Sequence, residues 1–223
     1  MIRVIGGRFK RRRLDSVPGE ALTRPTADRV KESLFNILQG EIEGAQVLDL
    51  FSGTGALGIE ALSRGAASCC FVERDKAAAA VLASNLARLG LGPVEARLIV
   101  APVDDVLRAP DRFGLVGRTF DLVLADPPYK SGWTAGALAT LGQSPLLSKI
   151  CTVVFEMPSY DDLVPASLPD TVFLKRMQRE YGKTRLEIWQ RADGADGAVD
   201  HDERDDGGVR DLGIPAHTPS RRR

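Results

Sequence analysis

The chain has 223 residues, of which 43% are hydrophobic and 27% are charged, a composition typical of a soluble globular protein. Its 30 Lys and Arg residues balance its 30 Asp and Glu residues, so the net charge indicates no partner. No apolar run approaches the ~18–20 residues of a membrane-spanning helix, and the start of the chain lacks the apolar run of a secretory signal. We therefore expect a cytoplasmic protein without a membrane partner.

The content of cysteine and histidine restricts the chemistry. The three cysteines are an odd set without metal-ligand spacing, so we expect neither a disulfide scaffold nor a bound metal. Both histidines, His201 and His217, lie in a stretch rich in glycine and charge that begins at Arg191. Such a stretch buries too little apolar surface to offset its ordering entropy, so residues 191–223 are predicted to be a disordered tail. Histidine-dependent catalysis is thereby excluded from the folded part.

Residues 1–40 are predicted to form a basic extension, with nine basic and four acidic side chains. Apolar residues and a Gly-Gly pair interrupt the acid-free basic cluster of residues 1–13, which favours a small β-hairpin over a solvated, flexible arm. The segment TRPTADRVKESLFNILQG follows, and its helical spacing of apolar residues predicts an amphipathic helix capped by Thr26 and ending near Gly40.

Clustered basic side chains attract the phosphates of nucleic acids. We therefore take this extension as the candidate nucleic-acid-binding part of the chain. Its candidate contact residues are Arg8, Lys10, Arg11, Arg12, Arg13 and Arg24.

Residues 41–190 alternate predicted strands and helices. The apolar runs QVLDLF, SCCFVE, EARLIV, FDLVLA and CTVVFE indicate strands that are buried on both faces. Helix-length segments separate them, which indicates βαβ units in a parallel sheet. The last two strands flank a turn at Gly182 and predict an antiparallel hairpin. The expected fold class is thus α/β, with a mostly parallel sheet, an antiparallel terminal strand and a small N-terminal hairpin and helix.

The first of these strands runs into a turn with the pattern G-x-G-x-x-G, formed by Gly53, Gly55 and Gly58. Such a turn lets a cofactor approach the backbone. Asp49 precedes the turn, and Glu73 ends the next strand, where a carboxylate can accept hydrogen bonds from ribose hydroxyls. Dinucleotides and S-adenosylmethionine both fit this pattern, and the acid before the turn suits the cationic amino group of the latter.

The fourth strand of this region ends in Asp126-Pro127-Pro128-Tyr129. The prolines hold the backbone extended at the carboxyl edge of the sheet, where α/β proteins bind ligands. A carboxylate and a backbone carbonyl there could accept both N–H bonds of a nucleobase amine and aim its lone pair at a methyl donor. Tyr129 would stack on the extruded base. Positioning of this kind needs no histidine, so these four residues are the candidate catalytic set.

Six segments then occur in an order typical of one family: RVIGGRFKRRRL, TRPTADRVKESLFNIL, VLDLFSGTGALGIEALSRGA, FVERD, ADPPY and YGKTRLEIW. Through them the chain resembles the RsmD family of class I S-adenosylmethionine-dependent methyltransferases, which methylate the N2 of a guanine in small-subunit ribosomal RNA. The resemblance implies a monomeric Rossmann-like enzyme whose partner is ribosomal RNA or an assembling small subunit. It also implies a set of cofactor-lining residues: Asp49, Phe51, Gly53, Gly55 and, at the ribose, Glu73.

The chain departs from this family after the third strand, where Pro102 occupies a position that is usually Asp or Asn. We therefore expect adenine to be bound by backbone groups near Val103 or by Asp104.

Other functions fit part of the pattern. A DNA adenine-N6 methyltransferase would use the same tetrapeptide, but the chain shows no obvious second domain for reading DNA. A non-catalytic RNA-binding protein of the same fold would be expected to have lost the glycine turn or the tetrapeptide, and both are intact. An NAD-dependent oxidoreductase would need an acid or base for hydride transfer, for which the histidine-free body offers no candidate.

Overall fold

The computed structural model of the protein describes residues 2–17, 25–128, 140–159 and 173–191. The strands are β1 (Ile2–Arg3), β2 (Arg13–Leu14), β3 (Gln46–Leu50), β4 (Ser68–Glu73), β5 (Ala96–Val100), β6 (Phe120–Ala125), β7 (Leu147–Pro158), β8 (Phe173–Tyr181) and β9 (Thr184–Arg191). The helices are α1 (Pro25–Ile37), α2 (Gln39–Ile42), α3 (Ala56–Ser63), α4 (Lys76–Arg88) and α5 (Val103–Arg108). None of the helices in these ranges has the length and apolar character needed to cross a membrane.

One sheet organises the described part of the chain, with the strand order β5-β4-β3-β6-β7-β9-β8. The strands from β3 to β7 pair in parallel, whereas β9 is antiparallel to both of its neighbours. This confirms the predicted α/β class with a mostly parallel sheet and an antiparallel end. The chain proceeds outward from β3 in one direction and from β6 in the other. The loops after these two strands therefore lie side by side where the strand order reverses, which is the place where open α/β sheets bind ligands.

Both faces of the central strands are buried because successive side chains point into opposite layers. Leu48, Leu50 and Ala125 belong to the hydrophobic core that contains α5. Val47 and Leu124 belong to the second core, which contains residues of α1, α3 and α4. Burial on two sides is the reason why these strands are continuous apolar runs in the sequence.

Some predicted boundaries are wrong by a few residues. The first long helix begins at Pro25, so Thr26 lies inside the helix and not immediately before it; the fixed φ of proline suits the first helical position. That helix ends at Ile37, and the short α2 then carries helical structure past the predicted end at Gly40. Arg191, predicted to begin the tail, is the last residue of β9, and the rest of the predicted tail lies outside the described residues.

The basic N-terminal segment forms an antiparallel hairpin in which Ile2 lies opposite Leu14. Val4 and Leu14 are buried in the core that contains α1 and α3. The apolar residues interleaved with the basic cluster thus attach the hairpin to the body, while its arginines and Lys10 lie at the surface.

Glu60 anchors this hairpin. Its carboxylate is fully buried and accepts hydrogen bonds from the backbone N–H groups of Ile5 and Gly6, both at 2.7 Å. It also forms ion pairs with Lys31 of α1 at 3.6 Å and with Arg64 at 2.8 Å. Burial lowers the pKa of Lys31, while the charge of Glu60 acts in the opposite direction. One buried carboxylate therefore connects the hairpin, α1 and α3.

Replacing Glu60 with alanine should lower the free energy of unfolding by about 3–5 kcal/mol, because the change leaves a buried ammonium group without its counter-charge. Chemical denaturation measures this loss, and hydrogen exchange should show faster exchange at the amides of Ile5 and Gly6. Glu32→Ala, on the exposed side of α1, is the control and should change neither quantity. Wild-type exchange rates at both amides in the Glu60 variant would contradict the anchoring role.

Candidate functional site

The glycine turn and the tetrapeptide meet at the boundary between β3 and β6. Leu50, the last residue of β3, lies opposite Ala125, the last residue of β6. Phe51 and Asp126 therefore leave the sheet side by side at its carboxyl edge. This parallel register brings together two motifs that are far apart in the sequence, one ending at Gly58 and the other beginning at Asp126.

The turn after β3 depends on backbone conformations that side chains disfavour. Phe51, Gly53 and Gly55 have φ angles of 58°, 52° and 87°. A Cβ atom at Gly55 would overlap the Leu82 side chain of α4, whereas a Cβ atom at Gly53 would have no neighbour within 4 Å. Gly55 is thus required for the packing of the turn on α4, and Gly53 borders open space.

Asp49 lies under the turn with only 1% of its surface exposed. Its Oδ2 accepts a hydrogen bond of 2.9 Å from the backbone N–H of Gly58, at which a Cβ atom would come within 2.8 Å of the same oxygen. Burial raises the pKa of Asp49 to about 8, with smaller contributions from the nearby Asp126 and Glu73, while the bond from Gly58 lowers it. Without a ligand, this carboxyl group is therefore mostly protonated at neutral pH.

Glu73, at the end of β4, is held in a fixed orientation by backbone groups. Its Oε2 accepts a hydrogen bond from Gly53 N–H at 2.8 Å, and its Oε1 accepts one from Asp75 N–H at 2.7 Å. Each carboxylate oxygen has a further lone pair available. The carboxylate therefore stands at the edge of the glycine turn and can accept additional hydrogen bonds from a hydroxylated ligand.

Asn85 of α4 connects the turn to the segment after the N-terminal hairpin. Its amide nitrogen donates to the carbonyls of Thr54 and Asp15, both at 3.1 Å, and its amide oxygen accepts from Asp15 N–H at 2.8 Å. The residue is buried, so these bonds are shielded from water. The position of the turn is thus tied to that of the hairpin, a link that the sequence pattern did not reveal.

The predicted adenine-binding residues lie at the start of α5. The Val103 side chain is buried in the core and only 5% exposed, so a ligand can use only its backbone. Asp104 is half-buried in the first turn of the helix, and Pro102 is exposed immediately before it. The carbonyl of Pro102 accepts the N–H groups of Asp105 and Val106.

Asp126 follows β6 and is exposed at the carboxyl edge, while Pro127 is buried and Pro128 is exposed. Tyr129 lies outside the described residues. Desolvation by the surrounding protein raises the pKa of Asp126 above the ordinary carboxyl value. Because water still reaches this exposed residue, its pKa rises less than that of a fully buried carboxyl group would.

Glu156 is a second carboxyl group beside Asp126, and sequence analysis did not select it as a site residue. Burial raises the pKa of Glu156 to about 8, the charge of Asp126 raises it further, and Lys31 lowers it. A sequence signal was available, because Glu156 is the acid that ends the apolar run CTVVFE. Its proximity to Asp126 depends on the pairing of β6 with β7.

The candidate nucleic-acid-binding residues fall into two groups. Arg8 forms an ion pair with Glu95 at 2.7 Å, and its guanidinium lies 4.6 Å from the centre of the Phe9 ring. Arg24 lies outside the described residues. Among these candidates, Lys10, Arg11, Arg12 and Arg13 are exposed and form neither an ion pair nor a side-chain hydrogen bond with the described part of the chain.

The chain is similar in sequence to several known proteins. The model of a family described as conserved hypothetical protein 95 matches residues 2–190. A Bacillus subtilis protein named "Putative rRNA methyltransferase YlbH" is 36% identical over 190 residues, which are 85% of this chain and 99% of that protein. The Escherichia coli K12 protein named "Ribosomal RNA small subunit methyltransferase D" is 43% identical over 131 residues, which are 59% of this chain and 62% of that protein.

The fold is also similar to a solved structure. The structure titled "Putative methyltransferase yhhF from Escherichia coli" superposes with a TM-score of 0.70 and 34% sequence identity. The match covers 85% of this chain and 97% of the other. Nearly the whole described fold therefore has a counterpart there.

The buried carboxyl group of Asp49 should make the stability of the ligand-free protein dependent on pH. Its pKa is about 8 in the folded chain and 3.8 for the free side chain, so the folded state binds more protons between these values. The free energy of unfolding should therefore fall as the pH rises from about 4 to 8, by at most about 1.4 kcal/mol per pH unit for this proton. Denaturation of Asp49→Asn across this range should give a flatter profile.

The exposed Asp111→Asn variant provides the matched control and should keep the wild-type profile. Parallel profiles for wild type and Asp49→Asn would show that Asp49 ionises normally in the folded chain.

Proposed function

The chain belongs to the family described as conserved hypothetical protein 95 and is an rRNA methyltransferase, and on this premise we propose that it transfers a methyl group from S-adenosylmethionine to the exocyclic N2 of a guanine in small-subunit ribosomal RNA. One observation carries this proposal above the others. The Asp126 carboxyl group lies exposed at the carboxyl edge of the sheet, directly beside the glycine turn, and has no hydrogen bond or ion pair with the described residues.

The residues around the turn fit S-adenosylmethionine. The open space at Gly53 gives a ligand room to approach the backbone, and Glu73 presents oriented acceptor oxygens for ribose hydroxyls. A cationic amino group near Asp49 would lower the raised pKa of that carboxyl group and favour its charged form. When bound, the cofactor supplies a methyl group on a sulfonium, whose leaving group requires no protein acid.

The acceptor amine would be held by the tetrapeptide. We assign its two N–H donors to the Asp126 carboxylate and the Pro127 carbonyl, which follow the last residue of β6. Hydrogen bonds from both N–H groups would aim the nitrogen lone pair at the methyl carbon. Formation of the N–C bond and cleavage of the S–C bond leave one proton to be released from the methylated amine. The raised pKa of Asp126 makes its carboxylate a better acceptor for this proton than an ordinary aspartate.

The exposed cations of the N-terminal hairpin are proposed to contact RNA phosphates. Lys10 and the three arginines that follow it have no competing ion pair among the described residues, so they are available to phosphate oxygens. The buried Glu60 fixes the hairpin on α3. The cations would thus meet RNA from a defined position on the body. Arg8 is proposed to contribute less, since Glu95 already occupies its guanidinium.

Asp126→Ala should reduce the turnover number for methyl transfer by about 10²–10⁴-fold, because the variant loses both the acceptor for the amine and the proton acceptor. Binding of S-adenosylmethionine, measured by calorimetry, should be unchanged. The assay uses radiolabelled S-adenosylmethionine with small ribosomal subunits that lack the modification, followed by identification of the labelled nucleoside. Asp111→Asn is the control and should retain full activity.

Recovery of labelled N2-methylguanosine supports the proposal. Labelled N6-methyladenosine instead, or full activity of the Asp126 variant, would overturn it. Replacing the labelled guanine with inosine, which lacks the 2-amino group, should abolish transfer.

Gly53→Ala and Gly90→Ala form a matched pair that tests the cofactor-facing side of the turn. Both glycines have positive φ, 52° and 71°, and neither would place a Cβ atom within 4 Å of a neighbour. Each variant should therefore lose a similar amount of stability, about 1–2 kcal/mol, from the left-handed backbone alone. Only Gly53→Ala should also weaken S-adenosylmethionine binding, because its methyl group would enter the proposed ligand space. Equal calorimetric affinities for the two variants would remove Gly53 from the cofactor site.

A further inference from the structure

Glu156 and Asp126 lie on the same side of the sheet, at neighbouring positions. Ala125, the last residue of β6, is paired with Phe155 of β7. The residues that follow this pair are Asp126 and Glu156, which therefore lie side by side. Because side chains alternate along strands, both carboxyl groups point away from the core that holds Ala125 and Phe155. They share the side occupied by Leu124 and Val154, whose core contains α1. The effect of Asp126 on the pKa of Glu156 agrees with this proximity.

The carboxyl groups at this edge differ in whether their oxygens already accept hydrogen bonds from the protein. Asp49 and Glu73 accept hydrogen bonds from backbone N–H groups of the glycine turn and its surroundings. Asp126 and Glu156, in contrast, have no hydrogen bond or ion pair with the described part of the chain. The first two shape the cofactor turn, whereas the second two present unoccupied acceptors.

Lys31 is a cation that lowers the pKa of Glu156, and its ammonium group is bound by other partners. Its ammonium donates a hydrogen bond of 2.6 Å to the carbonyl of Arg3 and forms the ion pair with Glu60. The pKa of Glu156 is raised in spite of Lys31, because burial and Asp126 act more strongly. A half-buried carboxyl group without a donor is unfavourable unless a ligand supplies one.

The Watson–Crick edge of guanine offers donors that match this pair of acceptors. Guanine has an N1–H group directly beside its 2-amino group, so an amine held by one carboxylate leaves a second donor next to it. Adenine has an acceptor lone pair at N1. Enzymes that extrude a base commonly read it through hydrogen bonds to this edge.

We propose that Glu156 determines the base specificity of the reaction by accepting a hydrogen bond from N1–H of the target guanine while Asp126 holds the neighbouring amine. This rests on the proposed function and names the atom that distinguishes the substrate. Above its raised pKa, Glu156 is ionised, and a base with a lone pair at N1 would then face its carboxylate without a donor. A binding site that depends on this hydrogen bond discriminates strongly against a base without N1–H, because the protein's acceptor is then left without a partner.

The test replaces the labelled guanine of the RNA with 2-aminopurine, which keeps the 2-amino group but has a lone pair at N1. At a pH above the raised pKa of Glu156, the wild-type enzyme should methylate guanine with a kcat/KM about tenfold to a hundredfold higher than for 2-aminopurine, the range expected for one hydrogen bond to a charged group. In Glu156→Gln the side-chain amide can donate a hydrogen bond to the N1 lone pair of 2-aminopurine. The methylation rate on guanine should therefore fall, and the rate on 2-aminopurine should rise. The ratio of the two rates should approach one.

Two further variants distinguish a change in base preference from a general loss of activity caused by misfolding. Glu156→Asp keeps the charge and should preserve a preference for guanine, even where the overall rate falls. Glu43→Gln lies before β3, at the opposite edge of the sheet, and should keep the wild-type ratio. Calorimetric binding of S-adenosylmethionine should be equal in all four proteins.

A wild-type ratio in Glu156→Gln would overturn the role of Glu156 while leaving methylation of guanine N2 intact. Equal wild-type rates on guanine and 2-aminopurine would overturn it as well. Failure of the proposed function is a different result, because the wild-type enzyme would then place no label on guanine N2.

Discussion

The parallel pairing of β3 with β6 is the constraint on which the site depends. Leu50 and Ala125 end these strands opposite one another, so the glycine turn and the tetrapeptide emerge together. The strand order reverses at this boundary, and the connections on its two sides diverge to leave the carboxyl ends of the strands accessible. A shift of either strand by one residue would move Asp49 or Asp126 to the opposite face of the sheet.

Four carboxyl groups are concentrated at this edge, and they differ in the hydrogen bonds that they accept. Asp49 and Glu73 receive backbone N–H groups, which fix their orientation and shape the turn. Asp126 and Glu156 have no hydrogen bond or ion pair with the described residues, and desolvation raises the pKa of both. Grouped acceptors of this kind favour a ligand with a cationic centre and several N–H and O–H donors. S-adenosylmethionine and a guanine base together provide all of these.

The N-terminal hairpin depends on the same body of the protein. A run of basic residues without acids would stay solvated, but Val4 and Leu14 pack in the core, and Glu60 binds the backbone at Ile5 and Gly6. Asn85 then joins the following segment to the carbonyl of Thr54 within the glycine turn. Polar contacts of Glu60 and Asn85 therefore hold both the hairpin proposed to bind RNA and the turn proposed to bind the cofactor.

The amino-acid sequence determined the local structure and the motifs. Mostly apolar runs set the bounds of β4 and β6 as predicted, because most side chains of a strand that is covered on both faces pack in the core. Only the tertiary structure decided which groups meet. The ion pair of Arg8 with Glu95, the bond from Gly58 to Asp49 and the position of Glu156 beside Asp126 all join residues from separate parts of the chain. Periodicity describes one element at a time, whereas these contacts depend on strand order and register, which are set by packing of the whole chain.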